Sequence, residues 1–357
     1  SRCLTQLHLG GGTPTYLDDA QLAELMACLA EHFTLDDSDA HEFSIEVDPR
    51  TISVERINTL RHLGFNRLSF GVQDFDPDVQ AAVNRVQSEA QILQLVAAAR
   101  EARFKSVSVD LIYGLPLQTV DSFDVTLSKL IALRPDRVAA YSYAHLPSQI
   151  RAQRMIRPED MPPPARKLEL LELTIRRLTE AGYVYIGMDH FALPDDDLAI
   201  AQEESTLQRN FQGYTTHGHC DLIGLGVSAI SQIGDLYCQN SSDLTEYQNA
   251  LASSQLGTSR GLICNQDDRI RREVIQQLIC NFCLEFAHIE HRFNLDFRGY
   301  FAELWPQLLA MADDGLISLD SQRIEVLPAG RLLVRSVCMV FDAYLEHQNR
   351  QRFSRVI

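Results

Sequence analysis

No apolar run in this chain approaches the roughly 20 residues needed to cross a bilayer. The least polar stretch, residues 222–234, is short and is broken by Ser228, Ser231 and Gln232. Residues 1–16 show neither a basic start nor a continuous apolar stretch, so no leader peptide is expected and a cytoplasmic location is. Positive charge is scarce. Lys and Arg total 32 against 48 Asp and Glu, a net charge of −16. That balance disfavours nucleic acid and anionic membranes as partners, because both require a clustered positive surface. Cysteine is thin too: eight residues, at 3, 28, 220, 238, 264, 280, 283 and 338, make no dense disulfide framework. The only close pair, Cys280 and Cys283, follows apolar positions recurring at helical spacing and reads as two small core residues on one helix. The fingerprints G-x-G-x-x-G and Gly-Lys-Ser/Thr are both missing after the glycine run at 10–12, which excludes a Rossmann or P-loop reading of it.

What is present is 45% apolar composition over 357 residues, enough for a sizeable core and two or three domains. Extended apolar runs fall at 6–9, 43–47, 67–72, 107–112 and 138–142. Helical patterns alternate with them. One carries Leu22, Leu25, Met26, Leu29 and Phe33 on a face behind Asp18 or Asp19. One runs from Ser53 to Gly64, and one opens with Ser88-Glu89-Ala90-Gln91, the spacing of a capping box. Strands and helices in this alternation predict an α/β fold with a parallel sheet. In such folds chemistry gathers where the strands end. Gly10-Gly11-Gly12-Thr13, Glu46 and Asp48, Gln73 and Asp74, Asp110, and Tyr143-Ala144-His145 all fall at those ends. Any one of them could be a cap or turn residue, and Glu46 could pair with Arg50 or Arg67. Their joint placement favours a site.

Beyond this, residues 154–164 read as a linker, followed by a helix around 168–181 and a polar, Gly-rich region over 187–234. The part from about Asp267 reads as helical, with a two-stranded wing at 316–326 and a helix near 331–345.

Taken in order, five segments resemble the radical S-adenosylmethionine fold: Leu7-His8-Leu9-Gly10-Gly11-Gly12-Thr13-Pro14, Ser44-Ile45-Glu46-Val47-Asp48-Pro49, Ser69-Phe70-Gly71-Val72-Gln73-Asp74, Val83-Asn84-Arg85 and Asp110-Leu111-Ile112-Tyr113-Gly114-Leu115-Pro116. With Gly187-Met188-Asp189-His190, Arg209-Asn210-Phe211-Gln212-Gly213-Tyr214 and Gly224-Leu225-Gly226-Val227-Ser228, the chain resembles the coproporphyrinogen III dehydrogenase family over its whole length. The resemblance implies a partial (β/α) barrel over 1–150, a substrate-side region over 151–260 and a helical, winged-helix-like lid over 261–357. It implies oxidative decarboxylation of coproporphyrinogen III to protoporphyrinogen IX by a 5′-deoxyadenosyl radical. The implied cofactors are a [4Fe–4S] cluster and S-adenosylmethionine, in two copies. Gly11, Glu46 and a backbone contact at Leu262 would meet the copy that is cleaved. Gly12, Thr13, Gln73, Arg85, Asp110 and Ala144 would line the place of the second.

The resemblance has one departure. The family's C-x-x-x-C-x-x-C motif occurs nowhere in the 357 residues. The cluster segment is therefore expected to be missing from this sequence, leaving strand 6–9 at a sheet edge and the chain as written inactive. The substrate is a tetra-anion, so local cations must receive it. Arg209 and His190 are the candidates, an internal salt bridge and a satisfied core histidine being their alternatives. The other expected partner is an electron donor, with no nucleic acid and no membrane, and the chain is expected to be a monomer. The competing function is a haem-binding chaperone of the same superfamily. A nucleic-acid role for the wing is opposed by Asp313, Asp314, Asp320 and Glu325.

Overall fold

The computed structural model describes residues 2–38 and 40–345. The chain divides between Ala199 and Ile200 into two compact units. In the first, the apolar runs are the strands Gln6–Leu9, Glu42–Val47, Arg67–Gln73, Ser106–Tyr113 and Arg137–Ser142, side by side in that order and all parallel. Parallel neighbours need crossovers. The helices Asp19–His32, Val54–His62, Glu89–Glu101 and Val120–Leu133 provide them. A hairpin of Val184–Gly187 and His190–Ala192 completes seven strands, the latter antiparallel to Arg137–Ser142. The Gln6–Leu9 strand stands at one edge.

Local chemistry sets the helix boundaries. Asp18 and Gln21 form a full capping box, and Gly64 takes φ +99° behind the second helix. The box predicted at Ser88 is only half made. Ser88 accepts from the Gln91 N–H, but the Gln91 amide donates instead to the Pro49 carbonyl at 2.8 Å. That bond links the helix to the end of the second strand.

Along the strands burial alternates with period two. Phe43, Ile45, Val47, Leu68, Phe70, Val72, Val107, Val109 and Leu111 are buried and pack with Leu22, Ile57, Leu60, Ile92, Leu95 and Leu127 from the helices. Burying each such side chain fully contributes about 1.5–3 kcal/mol, so this layer holds the unit together. The opposite face carries Ser44, Glu46, Ser69, Gly71, Ser108 and Asp110.

The second unit holds the hairpin Gln208–Asn210 with Gly213–Thr215, then a three-stranded antiparallel sheet of Ile230–Ile233, Leu236–Asn240 and Thr258–Ile263. The helix Gln266–Asn281 follows, with a capping box of Asn265 and Asp268. Three expectations are corrected here. The wing has a third strand: Cys283–Glu285 pairs with Arg323–Val326, which also pairs with Ile317–Leu319. Cys280 and Cys283 do not share a helix, because Phe282 turns left-handed (φ 57°) after Asn281 and starts the strand. Cys280 is core, whereas Cys283 is only half-buried. The helix expected near 331–345 is two short ones, Pro328–Leu332 and Val334–Met339. The stretch expected as a linker begins at the end of one 3-10 turn, Arg151–Met155, and contains another, Pro158–Asp160, whose Asp160 carbonyl accepts from the Leu117 N–H at 2.8 Å. Among the described residues no helix is long and apolar enough to cross a membrane.

One buried polar network braces the strand ends. The Gln118 amide donates to Asp74 Oδ2 at 2.6 Å and to the Ile112 carbonyl at 3.1 Å, and its Oε1 accepts from the Gly114 N–H at 2.6 Å. Thr126 donates to the other Asp74 oxygen at 2.5 Å. Gln118→Leu takes a hydrogen-bond partner from three groups at once, the Asp74 carboxylate, the Ile112 carbonyl and the Gly114 N–H, so it is expected to cost at least about 3 kcal/mol, from about 1–3 kcal/mol per orphaned group. Urea unfolding should show a lower midpoint at unchanged slope. A wild-type midpoint would show that the network does not brace the rim.

Candidate cofactor site

The loop Gly10–Thr13 leaves the first strand with Gly11 at φ +76° and Gly12 at φ +62°, conformations that favour glycine. A Cβ placed on either would meet nothing within 4 Å. The loop therefore offers bare backbone beside open space. The Gly11 N–H donates to Glu46 Oε2 at 3.2 Å. Glu46 Oε1 lies 3.4 Å from His8 Nε2, and His8 Nδ1 lies 2.8 Å from Ser44 Oγ. The hydrogen bond from His8 holds the Glu46 carboxyl below its ordinary range. Burial opposes that effect, and the His8 charge and the Gly11 N–H add to it. The arginines that might have neutralised Glu46 are engaged elsewhere. Arg50 pairs with Asp48 at 2.7 Å, and Arg67 with Glu42 at 2.7 Å and Asp197 at 2.5 Å.

Two strands along, Asp110 is flanked in register by Gly71 and Ala139, which leaves room around it. Ser69 Oγ donates to its Oδ1 at 3.0 Å. Burial pushes the Asp110 carboxyl up to about 7, the Glu46 charge pushes the same way, and Ser69, His8 and Arg85 pull it back. Glu46 and Asp110 share one polar face, and their environments drive their proton affinities apart. Such separation is a common mark of functional sites.

Arg85 follows the helix Pro77–Ala82 in a turn fixed by its own N–H, which donates to the Gln80 carbonyl at 2.8 Å. Its Nη2 is 3.4 Å from both the Gly71 carbonyl and Asp48 Oδ2. Its Nε is buried without a partner, and so is Oε1 of Gln73. Gln73 sits at a bulge with φ 68° and folds over Gly71, where an added Cβ would come 3.0 Å from its Nε2. Orphaned buried polar atoms are costly. Here they face a rim with carboxylates, a guanidinium, an amide and bare backbone. That set fits an amphoteric ligand with ammonium, carboxylate and hydroxyl groups, as S-adenosylmethionine is.

The remaining expected residues are placed as follows. Thr13 precedes the 3-10 turn Pro14–Tyr16 and makes no side-chain cap. Ala144 is exposed, two residues past the fifth strand, and its carbonyl accepts from Gln153 at 2.9 Å. His190 lies in the hairpin beside Tyr141, ring centroids 5.9 Å apart. Leu262 and Arg209 belong to the second unit, Leu262 on the exposed strand Thr258–Ile263. Arg209 sits 4.7 Å over the Tyr214 ring, with Nη1 buried and unpartnered. Its alternative reading, an internal salt bridge, is replaced among the described residues by this stacking. His8, Ser44 and Ser69 were missed as contributors. Their signal was the period-two alternation, which places all of them on the face of Glu46 and Asp110. Among the described residues no group of three or more His, Cys, Asp or Glu could hold a metal ion, so these residues do not fit a cluster.

Because the folded state raises Asp110 from its ordinary 3.8 to about 7, folding favours its protonated form. That stability is present below about pH 3.8 and is lost as pH rises to about 7. At about 1.36 kcal/mol per unit the loss is at most ~4 kcal/mol. Asp110→Asn is expected to flatten this part of the stability–pH curve in denaturant titrations. An unchanged slope would show that Asp110 is not the group responsible.

Residues 2–130 match the Radical SAM superfamily, and residues 264–333 match the HemN C-terminal domain. The chain is 60% identical over 352 residues to the oxygen-independent coproporphyrinogen III oxidase of Pseudomonas aeruginosa, covering 99% of this chain and 76% of that protein. It is 52% identical over 357 residues to the protein of the same name from Escherichia coli, covering 100% and 78%. The solved structure of coproporphyrinogen III oxidase (HemN) from Escherichia coli, a radical SAM enzyme, matches with a TM-score of 0.93 at 51% identity, over 96% of this chain and 79% of that one. The chain belongs to the oxygen-independent coproporphyrinogen III oxidase family of radical SAM enzymes.

Proposed function

We propose that this chain acts in haem biosynthesis by converting two propionates of coproporphyrinogen III to vinyl groups, each with loss of CO₂, to give protoporphyrinogen IX. Family membership supports the reaction. The observation that carries the site is the polar sheet face where Glu46 and Asp110 lie beside unpartnered atoms of Gln73 and Arg85. When bound, S-adenosylmethionine supplies the radical that removes hydrogen from a propionate β-carbon. The chain's own residues bind and orient. Glu46 accepts hydrogen bonds from ribose hydroxyls or an ammonium, and Gly11 lets the ligand approach the backbone. Gly12, Thr13, Gln73, Arg85, Asp110 and Ala144 seat a second copy. No ordinary acid–base pair is needed for the abstraction. The thiolates for the [4Fe–4S] cluster are proposed to lie outside these 357 residues.

The substrate carries four negative charges and the chain −16. Exposed charges farther apart than about 8 Å are largely screened at physiological ionic strength. Nearby cations therefore decide binding, and Arg209 and His190 are proposed for that task. An electron donor and a monomeric state complete the reading.

Three outcomes test it. The cluster-loaded enzyme, prepared from a polypeptide that includes a cluster-binding segment, should turn over coproporphyrinogen III anaerobically to the divinyl product. Stoichiometric haem binding without turnover would instead mark a chaperone. Arg85→Ala should leave cluster content intact and lower turnover at least about tenfold, the scale of a lost charged contact. Wild-type turnover would make Arg85 a surface cation. The 357-residue polypeptide alone, reconstituted with iron and sulfide, should give no stoichiometric [4Fe–4S] signal by absorbance or EPR, because its sequence holds no C-x-x-x-C-x-x-C triplet. A full signal with cleavage of S-adenosylmethionine would overturn that assignment.

A further inference from the structure

Glu46 is 43% exposed at its side chain, and a carboxylate that open would ordinarily sample many orientations. Exposed ion pairs by themselves hold little, because ordering two side chains costs about what the attraction returns. Here both ends of the pair are anchored. His8 faces Ser44 in strand register, with Nδ1 2.8 Å from the hydroxyl, and the far oxygen of Glu46 takes the Gly11 N–H. The result is a chain of contacts, Ser44 to His8 to Glu46 to Gly11, with both ends tied to backbone.

The protons in this chain are constrained. The Glu46 carboxyl is held below its ordinary range, so it is ionised at neutral pH and Nε2 must carry the hydrogen that faces it. Nδ1 then either donates to Ser44, which can pass its own proton to the Leu7 carbonyl at 3.3 Å, or accepts from it. In both arrangements the imidazole is a donor to Glu46. Gly10 gives an independent sign of the pair. It has no left-handed φ, yet a Cβ there would fall 2.4 Å from His8 Nε2 and 2.8 Å from Glu46 Oε1. The first glycine of the run keeps the His8–Glu46 contact clear, whereas the second and third serve the turn.

We propose that His8 is a positioning residue, a strut from Ser44 that fixes the Glu46 carboxylate in the one orientation in which it receives S-adenosylmethionine. The proposal rests on the cofactor reading above. The charged group that acts on this carboxylate is His8, while across the face Asp110 feels the charges of Glu46, His8 and Arg85. Without the donor from His8, the Glu46 carboxyl is less acidic and its direction is free.

The test is binding of S-adenosylmethionine to the cluster-loaded enzyme by equilibrium dialysis across the acid range. Thermal unfolding checks that each variant is folded. His8→Ala should weaken binding about tenfold, the loss typical when a partner that orients a ligating group is removed. It should also move the acid limb of the binding profile to higher pH. His8→Gln, which restores an uncharged donor, should recover part of both. Because His8 acts through Glu46, His8→Ala combined with Glu46→Gln should bind no more weakly than Glu46→Gln alone. Gly10→Ala, which crowds the pair without removing it, should weaken binding in the same manner even if His8→Ala does not fold. An unchanged affinity and profile in folded His8→Ala, with Glu46→Gln weakened, overturns the strut alone. So does a loss that adds to that of Glu46→Gln. Unchanged binding in Glu46→Gln overturns the cofactor reading itself and the strut with it.

Discussion

The structure of the first unit depends on an alternation that a parallel sheet does not usually show. Parallel strands covered by helices on both faces read as near-continuous apolar runs. Here Val107, Val109 and Leu111 are buried against helices while Ser108 and Asp110 between them face the other way, and the strands on either side repeat the pattern. One face supplies the burial that makes the unit stable. The other is polar, and its unmet hydrogen-bonding groups at Gln73 and Arg85 are a cost that a ligand can relieve.

That polar face does not treat its two carboxylates alike. Glu46, near the edge strand, has a histidine and a backbone N–H to stabilise its charge. Asp110, between Gly71 and Ala139, has one hydroxyl as its hydrogen-bond donor, and burial outweighs that bond and the pull of the His8 and Arg85 charges. Environment thus separates a carboxylate held below its ordinary range from one pushed up to about 7 within a single sheet, as in enzymes that run two roles on two acids. For a ligand carrying both positive and negative groups the arrangement offers charge at one point and a neutral hydrogen-bonding group at another.

Much of this was legible in the sequence, and for a physical reason. The five parallel strands, the Asp18 cap and the left-handed Gly64 rest on local patterns, which the structure repeats. Glu46, Gln73, Asp110 and the glycine loop could be grouped because strand ends in a parallel sheet meet at one rim, whereas Arg85, which follows a helix, joined them only through the family resemblance. What escaped needed partners distant in sequence. His8 reads as one polar residue in a strand until Ser44 and Glu46 are beside it, more than thirty positions away. The half-made box at Ser88 depends on Pro49, 42 residues back, which takes the bond Gln91 would have returned. Cys283 left its helix because Arg323–Val326 offered it a strand to pair with, a tertiary contact that overrides helical periodicity.

The central claim is that the inner polar face of this sheet is the cofactor floor. The most direct measurement is an anaerobic crystal structure of the cluster-loaded enzyme with S-adenosylmethionine. Density for the adenosyl group against Gly11 and Glu46, with Gln73 and Arg85 satisfied, is the predicted result. An ordered cofactor elsewhere, with Gln73 Oε1 and Arg85 Nε still unpartnered, would contradict the account.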